Sequence, residues 1–243
     1  MAKPNETLFV SWCDGGDVDS LFASGVMSTI LRLPDLKIQF GGISHTIGNQ
    51  IARQRQDVLK NFIDSKCDWM LSVDSDIVLT PDILDKMWKA ADKEKRPVLC
   101  GVYFVSLNPN SPLMIPLPCI FTDDGTNNTP VHPLPDNEII PIDVAGFGLM
   151  LMHKSVAKKV YDAYDGAFDI EIKRNSHVSE DVSFFRKLKE MQIPVHAHTG
   201  ARAVHVKRFF FDENYYNLWW NTIGAEMSQK GEPVNFVNNT VQL

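Results

Sequence analysis

Asp74 and Asp76 stand two residues apart at the end of an apolar stretch, Trp69-Met70-Leu71-Ser72-Val73. On an extended strand, residues i and i+2 point to the same face, so the two carboxylates are expected to converge on one spot. That spot is the carboxyl end of a strand, where ligands bind in open α/β sheets. Two carboxylates so close repel unless a positive charge lies between them, and a hard divalent cation meets that need. The competing reading is a plain loop, because Asp and Ser also favour turns and helix caps.

Two further groups carry possible chemistry. Glu180-Asp181 opens an apolar periodic segment. Acidic residues there complement the positive end of a helix whether or not they react. Ala145-Gly146-Phe147-Gly148 places two glycines in an apolar run. Glycine permits close approach of the backbone to a ligand, and a β-bulge without ligand uses it equally.

The elements that must position these groups alternate along the chain. Leu8 to Trp12 reads as a first strand and Ser20 to Leu31 as a helix. Lys37 to Gly42 reads as a second strand. Gln50 to Ile63 is an amphipathic helix with Ile51, Val58, Leu59, Phe62 and Ile63 on one face and Arg53 and Arg55 off it. After the Asp74 strand, Thr80-Pro81-Asp82 opens a helix with a good cap, a favoured first-turn proline and an acid that suits the dipole. Val98 to Val105 and the run from Ile142 to Met152 read as strands, and Lys154 to about Tyr164 as a helix. Ser179 caps the Glu180 helix, and two short strands, Pro194 to Ala197 and Arg202 to Val206, come last. This order predicts an α/β fold with a mostly parallel, doubly wound sheet flanked by helices. Residues 108–141, rich in Pro, Asn, Asp and Gly, read as an irregular insert, and residues 209–243 as an aromatic extension.

The 243 residues suit one large α/β domain. A hydrophobic fraction of 44% and a charged fraction of 22% match a globular protein with a substantial core. The net charge of -6 argues against broad, sequence-independent nucleic-acid binding. No stretch has the length of a membrane span or of a signal peptide's apolar core. Cys13, Cys67, Cys100 and Cys119 form no CxxC pair and read as reduced core residues in a cytoplasmic protein.

The order Asp74-Ser75-Asp76, Ala145-Gly146-Phe147-Gly148, Glu180-Asp181, His205 and Lys207 resembles the GT-A glycosyltransferases, especially the family-2-like enzymes of bacteria and phages. The likeness runs from about Phe9 to Lys207. It implies a Rossmann-like GT-A catalytic domain over residues 1–208, with a nucleotide-sugar half at about 1–105 and an acceptor half at about 142–208. It implies transfer of a sugar from a nucleotide-diphosphate donor to a hydroxyl. Asp76 and His205 would hold Mn²⁺, or Mg²⁺, and Asp74 would join them or hold the donor ribose. The imidazole favours Mn²⁺, since Mg²⁺ strongly prefers oxygen. Asp181 would be the base of an inverting reaction, with Glu180 contacting the acceptor or supporting the loop. Trp12, Arg53, Arg55, Ser75 and Lys207 would bind the donor, a UDP- or GDP-sugar. Asp143 and the segment Ala145, Gly146, Phe147, Gly148 would line the sugar and acceptor. The family more often carries Pro and a small hydroxyl residue where this chain has Ser11 to Asp17.

Two other readings compete. A sugar-1-phosphate nucleotidyltransferase also uses acidic metal ligands on an α/β sheet. It usually has a basic glycine-rich loop after the first strand, whereas Cys13-Asp14-Gly15-Gly16-Asp17 is acidic. A non-catalytic carbohydrate-binding protein on the same fold is the third reading. The acceptor, whether glycan, protein or modified nucleobase, is not legible. The aromatic tail suits sugar stacking, a cover for the site or a homodimer interface.

Overall fold

A computed structural model describes residues 6–106, 116–173, 176–207 and 213–221. The chain forms two compact units, one of Met1–Leu107 with Pro116–Val206, the other of Asn108–Ile115 with Lys207–Leu243. The described part of the second unit holds the helix Glu213–Trp219, where Trp219 and Trp220 meet edge to face. Phe209, Phe210 and Phe211 lie outside the described residues.

The first unit is built on a seven-stranded sheet. Its strands are β1 (Thr7–Asp14), β2 (Gln39–Ile47), β3 (Trp69–Val73), β4 (Val98–Val102), β5 (Ile139–Pro141), β6 (Leu149–His153) and β7 (Val195–Arg202). Their spatial order is β5-β7-β4-β6-β3-β1-β2. β1 runs parallel to β2 and β3, and β4 parallel to β7. Only β6 and β5 run against the rest. The helices are α1 (Ser20–Arg32), α2 (Ile51–Asp64), α3 (Pro81–Ala90), α4 (Lys154–Ala163) and α5 (Glu180–Glu190). α1 packs with α3 and α2 with α4, flanking the sheet.

The central strands show why the sequence settles here. All five residues of β3 and all five of β4 are buried, as near-continuous apolar strands covered on both faces must be. Trp69, Leu71, Val73 and Leu99 are fully excluded from solvent. Burying side chains of this size stabilises by about 1.5–3 kcal/mol each. α3 starts as its sequence dictates: the Thr80 hydroxyl accepts the Ile83 N–H at 3.3 Å, with Pro81 in the first turn.

Three expectations change. The strand read at Val98 to Val105 breaks at Tyr103, and Phe104–Ser106 pairs separately with Pro116–Pro118. The run from Ile142 to Met152 is two elements, since Val144–Ala145 joins a small sheet with Ile120–Asp123 and Asn128–Pro130 while β6 enters the main sheet. The supposed insert 108–141 therefore contains regular structure, including β5. Its strands are three or four residues long, and the prolines within them stand at positions an edge tolerates. Residues 108–115 of it lie outside the described residues.

Candidate functional site

β3 stops at Val73, and Asp74-Ser75-Asp76 is a turn closed by the Ile77 N–H donating to the Asp74 carbonyl at 2.9 Å. Strand alternation therefore does not govern the two carboxylates, and they turn to different partners. The turn is pinned from three sides. Asp74 N–H donates to Gly148 O at 2.9 Å, Asp19 N–H to Ser75 O at 3.1 Å and Val206 N–H to Asp76 O at 2.8 Å. The antiparallel course of β6 brings Gly148 here, because Leu149 pairs with Val73 at the end of β3.

Asp76 faces His205. The short strand Val204–His205 pairs with Ile77–Val78, which sets His205 Nε2 3.2 Å from Asp76 Oδ2. The other ring nitrogen, Nδ1, lies 2.9 Å from the Phe104 carbonyl. A carbonyl only accepts, so Nδ1 carries the hydrogen. In a neutral ring Nε2 then presents a lone pair to the carboxylate. Two acceptors at that distance need a proton or a cation between them. Tyr103 closes the back of the histidine, with the rings edge to face at 5.2 Å.

Asp74 faces Arg55. Arg55 Nη2 lies 3.3 and 3.4 Å from the two carboxylate oxygens, and Nη1 lies 2.9 Å from Glu180 Oε1. The Nη1 contact is ionic only, because no hydrogen-bond geometry accompanies the short distance. The guanidinium also lies 5.0 Å from the centroid of the Phe147 ring. Burial opposes the charge on Arg55, yet Asp74 and then Glu180 hold its pKa above the ordinary value. Burial pushes the Glu180 carboxyl up, and the shared Arg55 offsets only part of that. Arg55 is 7% exposed, whereas Arg53, also off the apolar face of the helix, is exposed. A helix-face count marks where a side chain leaves the helix, not which charges the sheet brings to meet it.

Asp181 sits one residue into α5. Its Oδ1 accepts from the Ser179 hydroxyl and, at 2.9 Å, from the Val182 N–H. Ser179 is the cap by position, but its hydroxyl goes to Asp181 rather than to the helix backbone. The rest of α5 is anchored by Arg186, whose Nε and Nη2 each donate to the Asp123 carboxylate at 3.0 Å. Arg186 holds the Asp123 carboxyl below the usual carboxylate range. Lys189 reaches Asp143 Oδ1 at 2.9 Å, and Asp143 Oδ2 accepts the Asp123 N–H at 2.9 Å. Asp143, expected to touch sugar, is thus committed to anchoring α5 and the Ile120–Asp123 strand.

The glycines of residues 145–148 answer to protein atoms. A methyl on Gly146 would lie 1.9 Å from the Tyr103 hydroxyl, and one on Gly148 2.7 Å from Asp74 Oδ2. Ala145 and Phe147 are buried, and Phe147 is edge to face with Phe168 and Phe184. Tyr103 escaped the sequence reading. It lies just past the end of a parallel strand, where an aromatic with a polar tip is a signal worth heeding. Its hydroxyl accepts the Gly148 N–H at 3.3 Å, and burial raises its pKa well above the ordinary value.

At the end of β1, Trp12 donates its indole N–H to Asp14 Oδ2 at 3.0 Å and stacks on His45 at 5.2 Å. Gln54, also missed, donates to the carbonyls of Asp14 and Thr46, both at 2.8 Å. Lys207 belongs to the second unit. Among the described residues no three His, Cys, Asp or Glu side chains form a metal cage. No helix among them is long and apolar enough to cross a membrane.

No protein-family model and no curated protein matches the sequence. Solved structures do. A197 from STIV is 21% identical, with a TM-score of 0.51 over 84% of this chain and 86% of its own. GalNAc-T7, solved with UDP, GalNAc and Mn²⁺, is 10% identical with a TM-score of 0.55 over 92% of this chain. This chain spans 50% of that one. The inositol-1-phosphate CTP transferase from T. maritima aligns at 10% identity with a TM-score of 0.47. The fold is Rossmann-like and of the GT-A kind.

Proposed function

We propose that this chain is a glycosyltransferase of the family-2-like kind that moves a sugar from a nucleotide-diphosphate donor to a hydroxyl acceptor, assisted by a divalent cation. The observation that carries the reading is the facing pair of Asp76 Oδ2 and His205 Nε2, 3.2 Å apart, with the ring tautomer fixed by Phe104 O. Neighbouring ligands on an octahedral ion stand about 3 Å apart at metal–ligand lengths near 2.1 Å. A histidine whose other nitrogen donates to a backbone carbonyl is also oriented as metal-bound histidines are. One carboxylate and one imidazole suit Mn²⁺ better than Mg²⁺. When bound, the cation would stabilise the charge that grows on the departing diphosphate.

The chain's own groups have separate tasks in this reading. Asp76 and His205 hold the cation. Asp74, turned from them toward Arg55, is left to take the donor ribose or a metal-bound water. Trp12, held by Asp14 and His45 at the end of β1, offers an aromatic face to the donor base, a UDP- or GDP-sugar. Ser75 contacts the donor, and Arg53 stands on the exposed face of α2. The backbone from Ala145 to Gly148 borders the sugar. Asp181 takes the proton of the attacking hydroxyl, its carboxylate oriented by Ser179 and the Val182 N–H, and the product is inverted. Asp143 is held by Lys189 and the Asp123 N–H.

The test is thermal melting with UDP, GDP, CDP and TDP, each with Mn²⁺, Mg²⁺ or EDTA. A ligand that binds the folded state alone raises the melting temperature. A rise with one nucleotide that EDTA abolishes and Asp76→Asn removes is the expected result. A nucleotide-dependent rise unaffected by EDTA and by Asp76→Asn refutes the metal site.

A further inference from the structure

The geometry points to Arg55 as a positioning residue that couples the donor end of the site to the acceptor base. The inference rests on the proposed reading of Asp74-Ser75-Asp76 as the donor end. Arg55 arrives from α2 and lies between carboxylates of two other elements, Asp74 at the end of β3 and Glu180 at the start of α5. It is 7% exposed, and Phe147 covers one face of its guanidinium. A group so enclosed is held by protein carboxylates and by an aromatic face. It is also too costly to bury without its partners.

Neither contact is fully formed. Nη2 stands at the long end of hydrogen-bond range from both oxygens of Asp74. Nη1 is close to Glu180 but lacks hydrogen-bond alignment. One cation therefore serves two carboxylates, and an improvement toward one is a loss toward the other. A donor that draws on Asp74 releases Arg55 toward Glu180. Glu180 is the first residue of α5, and Asp181 follows it directly. Donor binding is thereby transmitted to the turn that carries the base. The remainder of α5 is fixed by Arg186 on Asp123 and Lys189 on Asp143, so the motion is confined to the first turn.

Hydrogen exchange read by mass spectrometry tests this, using wild type, Arg55→Lys and the double variant Arg55→Gln with Glu180→Gln. Lysine keeps the charge but has no fork to span two carboxylates. The double variant removes both charges of the Arg55–Glu180 pair, so neither of these buried groups is left unpaired, while Asp74, whose side chain is 30% exposed, keeps its solvent. Each protein is measured with and without Mn²⁺ plus UDP, GDP, CDP or TDP. In wild type the binding nucleotide slows exchange both at residues 74–78 and at residues 180–184. In both variants the slowing at 74–78 persists, while that at 180–184 falls by about fivefold or more, the scale of an ordinary coupling between sites. Equal slowing at 180–184 in wild type and variants overturns the inference and leaves Arg55 as packing alone. No slowing at 74–78 in wild type with any of the four nucleotides overturns the donor reading itself, and the coupling with it.

Discussion

Gly146→Ala separates two reasons for a glycine, room for a ligand and room for the protein. The added methyl would lie 1.9 Å from the Tyr103 hydroxyl and 2.7 Å from Cys119 Sγ. Tyr103 is 4% exposed and its hydroxyl accepts the Gly148 N–H, so the phenol has nowhere to swing. Something must move by roughly 1 Å to restore an ordinary contact, and overpacking of this kind costs about 1–3 kcal/mol. Tyr103→Phe alone deletes the acceptor of the Gly148 N–H and costs about 1–2 kcal/mol. In the double variant the nearest ring atom, Cζ, is 3.0 Å from the methyl and only the Cys119 Sγ contact at 2.7 Å still has to yield, so the worst clash is relieved and a smaller one stays. The double variant is therefore expected to cost about 1–2 kcal/mol less than the sum of the singles, well above the scatter of independent sites. Urea titration of the four proteins reads this directly, provided the slope is unchanged. For a chain of this size each kcal/mol is also about 2–4 °C in Tm. Additivity within about 0.5 kcal/mol refutes the steric account. A Gly146→Ala protein of unaltered stability that no longer binds nucleotide restores the ligand explanation.

Three other outcomes are expected. Asp76→Asn and His205→Ala each abolish metal-dependent turnover and change stability by less than about 1 kcal/mol, because they remove a ligand and not core packing; urea titration and initial rates check both. Asp181→Asn abolishes turnover and keeps the metal-dependent rise in Tm with nucleotide, whereas loss of that rise makes Asp181 a structural residue. Arg186→Met costs about 2 kcal/mol at neutral pH, because it strands the buried Asp123 carboxylate. Arg186 holds the Asp123 pKa below 3.8, so that stabilisation is present above pH 3.8 and is lost as pH falls through the depressed folded value. The gap between Arg186→Met and wild type in urea titrations therefore narrows below about pH 3.8, and a gap that stays constant to pH 2 refutes the assignment.

What the chain reveals before folding follows from the range of the forces involved. The alternation of strands and helices, the start of α3 at Thr80 and the burial of β3 are local or periodic, and periodicity is visible in a sequence. The direction of β6 is not, because a buried apolar run reads the same both ways. The strands between Pro116 and Pro141 were hidden because they are short and proline-bearing, features that mark edges as well as loops. Asp74 and Asp76 stand out in the sequence, but their divergence does not, since the strand ends at Val73 and a turn takes over before alternation can act on them. Arg55, Tyr103 and Gln54 act through partners distant in sequence, and no local pattern announces such meetings. His205 stands out only by the order of motifs, and its tautomer follows only from the carbonyl of Phe104.

β1 and β2 close on a side chain as well as on a backbone bond, Gly48 N–H to Asp14 O at 3.0 Å. The Gln54 amide donates to the carbonyls of Asp14 and Thr46, one at the end of β1 and one near the end of β2, as a last rung would. That rung belongs to α2, not to the loop that follows β1. The loop from Gly15 to Asp19 is tied elsewhere: the Asp19 N–H donates to Ser75 O at 3.1 Å, and the Asp19 carboxylate caps α1 by accepting the Leu21 N–H. The mouth of the β1–β2 pair and the Asp74 turn are thus held by different segments, so a change in this loop is felt at the turn and at the start of α1 before it is felt in the sheet.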